Sequence, residues 1–555
     1  MDKNPEADRR LMIALVLTML VMYVWSTYIS PPPTTLPSQT ASAPAEPTPE
    51  RAPASADAAP SSDAVADALP VEEAVPEASV ALSGDGYDVV LDSTEGALSV
   101  LTLSDYQTEA TVTPIWQHAW HLIKGEAAET WTAYQGGGDA ARLLTDHSAF
   151  VLAGGGDVRG LVPFNVSQAS DGLVASRALP GGLKVTKTFK PGDKPHTLSV
   201  SVQFQNQGAQ PISGLWVGVA DTSHKLEGRF DNVMLPVGMA DGDIEHLQDP
   251  AKVAGDAQLR EDGPVQWLGY SSRYFMAALL PADPASLKLV FDALPDGREI
   301  VYALDEAALA PGQSRVLEFT AFVGPKDLSL LEAVGNDLDD AVEYGFFGFF
   351  SKILLFLLEV FQKGVSNWGV AIILLTLLVK LLFFPLTQKS YVSSKRMQQL
   401  QPAMNALKEQ YKDDPTRQQQ EMMKLFQDNN VNPLGGCLPT LVQLPVWFGL
   451  YSTLLYSVEL YNSKFLYLHD LTASDPYGLL PTLVAVLFYL QQAMTPTTGM
   501  DPTQQKMMRL MPIIFSVFMY SLPSGLVLYI TVNSILSIAQ MWVINKTLPA
   551  PSPVK

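Results

Sequence analysis

Residues Gly369 to Thr387, GVAIILLTLLVKLLFFPLT, constrain the fold more than any other stretch. They form an apolar helix about as long as a bilayer is thick, with one full charge, Lys380, near its middle. The centre of the hydrocarbon core disfavours a Lys by about 2.5–3.5 kcal/mol on insertion scales, so such a group faces water, a partner or a functional cavity. Thr376 and Lys380 are four apart and Thr387 continues the stripe, so one face of the helix is polar while the rest suits lipid. A polar face inside a membrane implies a wet groove. The competing reading is snorkelling: seven residues separate Lys380 from Thr387, roughly 10 Å of helix, and a Lys stem spans part of that.

The chain has 555 residues, room for two or three domains, and its 47% apolar content suits a protein split between water and lipid. Charge is unevenly spread. Residues 346–555 hold 15 Lys and Arg against 10 Asp and Glu, a net of plus 5, which leaves minus 26 of the total minus 21 for residues 1–345. That acidic first part argues against nucleic-acid binding there. With Cys437 as the single cysteine, an intrachain disulfide is excluded.

Leu11 to Ile29 is a second apolar run, preceded by Lys3, Arg9 and Arg10, without a small-x-small cleavage site and followed by Pro31, Pro32 and Pro33. It reads as an uncleaved signal anchor within residues 1–30, N-terminus inside. Residues 31–79 are rich in Pro, Ala, Ser, Thr and Glu and too poor in apolar surface to offset their ordering entropy, so they read as a disordered tether.

Residues 80–337 have the composition of a water-soluble β domain. Short, often alternating runs at Tyr87–Leu91, Lys184–Phe189, Leu198–Phe204 and Arg315–Phe322 are broken by turns such as Pro180-Gly181-Gly182 and Pro191-Gly192-Asp193. One large antiparallel sandwich is expected, and the absence of helix–strand alternation argues against a doubly wound nucleotide fold. Little there suggests chemistry. His118 and His121 are three apart without a Cys or acidic cluster to complete a metal site, and the glycine triplets at 136–138 and 154–156 read as turns.

Residues 338–367 form a helical stretch in which Lys352 and Glu359 share a face and Lys363 lies four beyond, an amphipathic helix lying in the membrane surface. The alternative is a further span, which would place the next loop outside. That loop, residues 388–433, carries seven Lys and Arg, whereas Glu459–Tyr477 carries only Lys464, so the positive-inside rule keeps the first loop in the cytoplasm. Met397, Leu400, Met404, Leu407 and Tyr411 then follow the spacing of a helical-hairpin seam, Pro402 marks a kink or fresh start, Asp413-Asp414-Pro415 turns, and Met422, Leu425 and Phe426 return. The methionines serve the hairpin core or, adaptably, grip varied apolar partners.

Leu438–Tyr456, with Gln443, and Leu479–Met494 read as further spans; Leu510–Leu522 is short and turns at Pro523-Ser524-Gly525 into the last, Leu526–Ile544. On that helix Tyr529, Asn533, Ser537 and Gln540 fall at i, i+4, i+8 and i+11, a second polar stripe. Six spans result, five of them in residues 368–546, with both ends and the tail at 547–555 inside. The two stripes can enclose a water-filled cavity, or Asn533 and Gln443 can simply hydrogen-bond helices together.

Several motifs recur in order: Asn432-Pro433-Leu434-Gly435-Gly436-Cys437-Leu438-Pro439, Pro496-Thr497-Thr498 with Asp501-Pro502, Gln504-Gln505-Lys506-Met507-Met508, Met511-Pro512, and Pro523 to Tyr529. Over about residues 340–545 the chain resembles the YidC/Oxa/Alb membrane protein insertases, and the anchor, tether and large domain resemble the Gram-negative YidC arrangement. The resemblance implies a six-span inner-membrane protein with a periplasmic β-supersandwich similar to galactose mutarotase, a cytosolic hairpin, and a groove open to cytoplasm and lipid. It implies a groove cation, Lys380 where the family normally has Arg, with Thr376 and Tyr529 as further groove positions; Gln443 of the span Leu438–Tyr456 and Asn533 of the last stripe join them. Lys395, Arg396, Lys408, Lys412, Lys506 and Arg509 would meet the ribosome. Implied partners are nascent membrane proteins, the Sec translocon (SecYEG, SecDF), the ribosome, signal recognition particle components and lipid, with no cofactor, metal or bond chemistry. The rival classes are a solute transporter or channel with a charged mid-membrane site and an envelope enzyme using the β domain; the first predicts repeats with broken helices, the second a cluster of acid and base residues, and neither signal is present.

Overall fold

Strand Thr197–Asn206 shows how the β domain assembles: Leu198, Val200, Val202 and Phe204 point into the core while Ser199 and Gln203 face out, the alternation of a strand with one wet face. The computed structural model describes residues 77–107, 111–112, 134–135, 140–144, 148–155, 162–222, 233–247, 250–253, 258–429, 431, 438–494 and 515–547. The expected anchor and tether, His118, His121, residues 136–138, the 432–437 motif, Lys506 and Arg509 lie outside the described residues.

Two nine-stranded antiparallel sheets stack face to face. The first runs Ser79–Ser83, Tyr87–Asp92, Ala97–Gln107, Ala149–Gly155, Leu215–Asp221, Glu299–Asp305, Lys288–Ala293, Leu259–Glu261, with Ala140–Arg142 beside Ala97–Gln107. The second runs Asp243–His246, Leu235–Ala240, Val265–Ser271, Phe275–Pro281, Ser314–Pro325, Thr197–Asn206, Leu183–Pro191, Gly172–Leu179, Asn165–Ala169. Between them lies a core that includes Phe150, Phe189, Phe204, Tyr270 and Phe291. Lys187 crosses this core with its ammonium donating to the carbonyls of Glu95 (3.1 Å), Gly96 (2.9 Å) and Val151 (3.0 Å); burial lowers its pKa to about 7. Gly154 and Gly155 end a strand instead of forming the expected turn. The bare backbone admits the Trp216 ring, which would lie 2.7 Å from a Cβ on Gly154.

Strand Phe275–Pro281 is buried at every residue because its second face is covered too. Helix α1 (Leu328–Val334), capped by Asp327, and the segment Leu338–Tyr344 lie over Met276, Ala278 and Leu280, and Leu355 joins the same cluster from helix α2 (Gly348–Val365). The β domain and the helices therefore share packed surface. A second junction comes from the turn Val458–Leu460: Val458 and Tyr461 enter the sandwich core, and the Tyr461 ring lies 5.0 Å from Phe275, 5.5 Å from Tyr274 and 6.2 Å from Tyr106. Glu459 is half-buried beside it, its Oε2 enclosed and without a hydrogen-bond partner among the described residues, and burial, then Asp327 and Glu359, raise its pKa to about 8.

The helical part comprises α2, α3 (Trp368–Gln399), α4 (Gln401–Gln410), α5 (Pro415–Asp428), α6 (Leu438–Tyr456), α7 (Leu479–Met494) and α8 (Ser524–Thr547). Among the described residues, Trp368–Met397 and Ser524–Ile544 are long and apolar enough to cross a membrane. Helix α2 packs on α6 through Ser351, whose Oγ donates to Gly449 O (2.9 Å), and leaves Phe349, Phe356 and Val360 exposed on its other side. Helix α3 runs on past Thr387, through Pro385, because residues 388–399 contain neither Gly nor Pro and are mostly good helix formers. The hairpin proper is α4, with Pro402 in its first turn, and α5, capped by Asp414; Leu400, Met404, Phe426 and Val431 form its core with Met397, Met422 and Leu425 against them.

Candidate functional site

Helix α8 packs against both α3 and α7, and its polar stripe meets that of α3. Lys380 Nζ donates to Ser537 Oγ at 2.8 Å, and Gln540 Nε2 donates to Thr387 Oγ1 at 2.8 Å. The stripes thus touch directly at two points, as a seam. Lys380 is half-buried, and among the described residues no carboxylate pairs with it. A charge-assisted bond to a neutral hydroxyl leaves the cation without a counter-charge. Around it the outer side of α3 is apolar and exposed, Leu381 by 69% and Leu382 by 71%.

The other expected positions occupy different environments. Thr376 is buried, its Oγ1 donating to Ile372 O at 2.6 Å, and Tyr529 is buried in the apolar cluster that holds Leu375, Val379 and Leu526. Asn533 is half-buried on α8, its carbonyl accepting from Ser537 Oγ at 2.8 Å, and Gln443 is half-buried on α6. The structure therefore unites Lys380 with Ser537 and Thr387 with Gln540, while Thr376 and Tyr529 sit in packed interior. Ser537 is the residue that sequence reasoning left off the site; its place at i+8 on the stripe was the available signal.

One end of the seam is sealed. The connection between α6 and α7 folds over it: the Phe465 ring covers Gly369, where a Cβ would lie 2.2 Å from that ring, and Leu468 and Leu471 are buried. Gly525 N donates to Leu471 O (2.8 Å), Ser524 N to Ala473 O (2.7 Å) and Ser524 Oγ to Asp470 O (3.0 Å), which ties the cap to the start of α8. The hairpin marks the opposite end. There Arg396 and Lys412 are exposed and Lys395 and Lys408 half-buried, and Gln418 Nε2 donates to Lys408 O (3.0 Å) between the arms.

Among the described residues the seam offers one cation, half-buried Lys380, beside the exposed apolar side of α3. It contains no cluster of three metal-ligating side chains among the described residues. Comparison with known proteins bears on the family. The family model described as the YidC periplasmic domain matches residues 79–357, and that described as the 60Kd inner membrane protein matches residues 360–551. A protein of Syntrophus aciditrophicus named membrane protein insertase YidC is 35% identical, over 97% of this chain and 99% of its own. One of the same name from Citrifermentans bemidjiense is 36% identical, over 84% and 86%. A galactose mutarotase-like protein from Lactobacillus casei matches in structure over 44% of this chain and 100% of its own, 11% identical, with a TM-score of 0.28. By the two matched regions and the near full-length relatives, the chain belongs to the YidC family of membrane protein insertases.

Proposed function

We propose that this insertase takes nascent membrane proteins into the polar seam between α3 and α8 and releases them sideways into the bilayer, alone or with the Sec translocon. The observation that carries the reading is Lys380: a half-buried cation whose hydrogen-bond partner is a neutral hydroxyl. A client carboxylate about 4 Å away gains on the order of 4 kcal/mol at an effective dielectric of about 20, enough to offset much of the cost of bringing a charge to mid-membrane. On arrival it exchanges for Ser537, the seam parts, local thinning of the bilayer shortens the polar segment's crossing, and the apolar flank leaves over Leu381 and Leu382. Thr376, Gln443, Tyr529 and Asn533 line the parted seam.

In this reading the membrane is the inner membrane, both termini are cytoplasmic, the β domain is periplasmic and, of the stretch 338–367 expected in the interface, the helical part Gly348–Val365 lies there, because Leu338–Tyr344 packs on the β domain. Lys395, Arg396, Lys408 and Lys412, with Lys506 and Arg509, recruit the ribosome and the signal recognition particle pathway. No cofactor and no bond-making step are involved. The relatives' name supports insertion over solute transport. The test is insertion of a single-span client with an acidic exported tail into proteoliposomes. Lys380→Ala lowers it at least tenfold and Lys380→Arg preserves it; unchanged insertion by Lys380→Ala refutes the role of the cation.

A further inference from the structure

Ser537 is an unusual partner for a membrane lysine. It is buried, 4% exposed, and its hydroxyl hydrogen is committed to Asn533 O, one turn back on the same helix, at 2.8 Å. The oxygen that faces Lys380 is therefore an acceptor with a fixed direction, and the ammonium 2.8 Å away supplies the proton. One turn further, Gln540, 6% exposed, donates to Thr387 while its own carbonyl oxygen is buried without a partner among the described residues. Helix α8 thus presents neutral acceptors, and no acid, along the face that meets Lys380.

This choice has two consequences. A Lys at this depth can otherwise extend its stem about one turn along α3 toward the hairpin end and leave the site. The bond to Ser537 holds the ammonium at the seam. Because the acceptor is neutral, it does so without cancelling the charge: an acid at the same position would form a closed ion pair and remove the attraction for a client's carboxylate. We propose that Ser537 is the positioning residue that keeps Lys380 inside the seam, and that its neutrality sets the preference of the site for acidic client segments. The inference rests on the proposed function of Lys380.

The experiment uses the full chain in proteoliposomes and two single-span clients that differ only in the exported tail, one bearing two Asp and one bearing two Asn. Ser537→Ala slows the acidic-tailed client about tenfold relative to the neutral-tailed one, as the loss of one hydrogen bond to a charged group allows. Ser537→Thr, which keeps a hydroxyl able to bond back to the helix, restores the ratio, and Ser537→Asp lowers it at least as far as Ser537→Ala. Equal slowing of both clients by Ser537→Ala, without rescue by Ser537→Thr, assigns Ser537 to helix packing and overturns the inference. So does an unchanged ratio in Ser537→Asp. Lys380→Ala run in parallel separates the two readings: if it is selective against the acidic tail and the Ser537 variants are not, only the positioning role fails; if it is not selective, the function proposed for the cation fails first.

Discussion

Replacing Tyr461 with Ala tests whether the β domain and the helical core are joined by packing or merely tethered. Tyr461 is 8% exposed, and its ring meets Phe275 edge-on at 5.0 Å, with Tyr274 and Tyr106 at 5.5 and 6.2 Å. Truncation exposes roughly 150 Å² of apolar contact, worth about 4 kcal/mol at about 25 cal/mol per Å², within the range of about 3–5 kcal/mol for deleting a buried aromatic. Tyr461→Phe keeps the ring and costs no more than about 1.5 kcal/mol, a hydrogen bond's worth. Hydrogen exchange on the purified full chain reads both. With Tyr461→Ala, amides of Val458–Leu460 and of strand Phe275–Pro281 exchange about a hundredfold faster or more, while those of Leu183–Pro191, far along the same sheet, do not change. Protection within threefold of the starting protein at the junction would refute the reasoning, since the ring would then be contributing nothing to the joint.

Glu459 gives the junction a pH dependence. Burial raises its pKa from 4.5 to about 8, so the folded state binds this proton more tightly than the unfolded chain. Its contribution is favourable at low pH and is lost as pH rises from about 4.5 through about 8. Glu459→Gln therefore flattens melting temperature against pH in that window and raises it at pH 8.5; an unchanged slope contradicts this. Lys187→Met leaves the carbonyls of Glu95, Gly96 and Val151 without their donor, and destabilises the sandwich by about 3 kcal/mol or more in urea unfolding followed by strand circular dichroism. A loss below about 1 kcal/mol would show that water replaces the ammonium there.

What could be read from sequence, and what could not, follows from the range of the interactions. Val200, Val202 and Phe204 alternate with polar residues because one face of their strand is wet, and the alternation is visible in the letters. The run FMAALLP at Phe275–Pro281 has no alternation, because α1 and the segment leading to α2 cover its second face. Lys380 stands out as a charge in an apolar run, and the stripe on the last helix stands out by its four-residue spacing. Which of its polar residues meets Lys380 depends on the relative depth and rotation of two helices. That is a tertiary quantity, and it placed Ser537 at the ammonium and buried Thr376 and Tyr529 in packed interior. Tyr461 gave no periodic signal, being one aromatic in a connection, yet it enters the core of the other domain.

The central claim is that clients occupy the seam between α3 and α8. A photoreactive residue placed in turn at Asn533, on the seam side of α8, and at Ile535, 46% exposed on its outer side, tests it against a ribosome-stalled client with an acidic tail. The account predicts that position 533 crosslinks the tail as it passes and that position 535 captures the client only after its apolar segment is made. Tail crosslinks from 535 with none from 533 would contradict it, because the polar segment would then be crossing beside the protein and not through it.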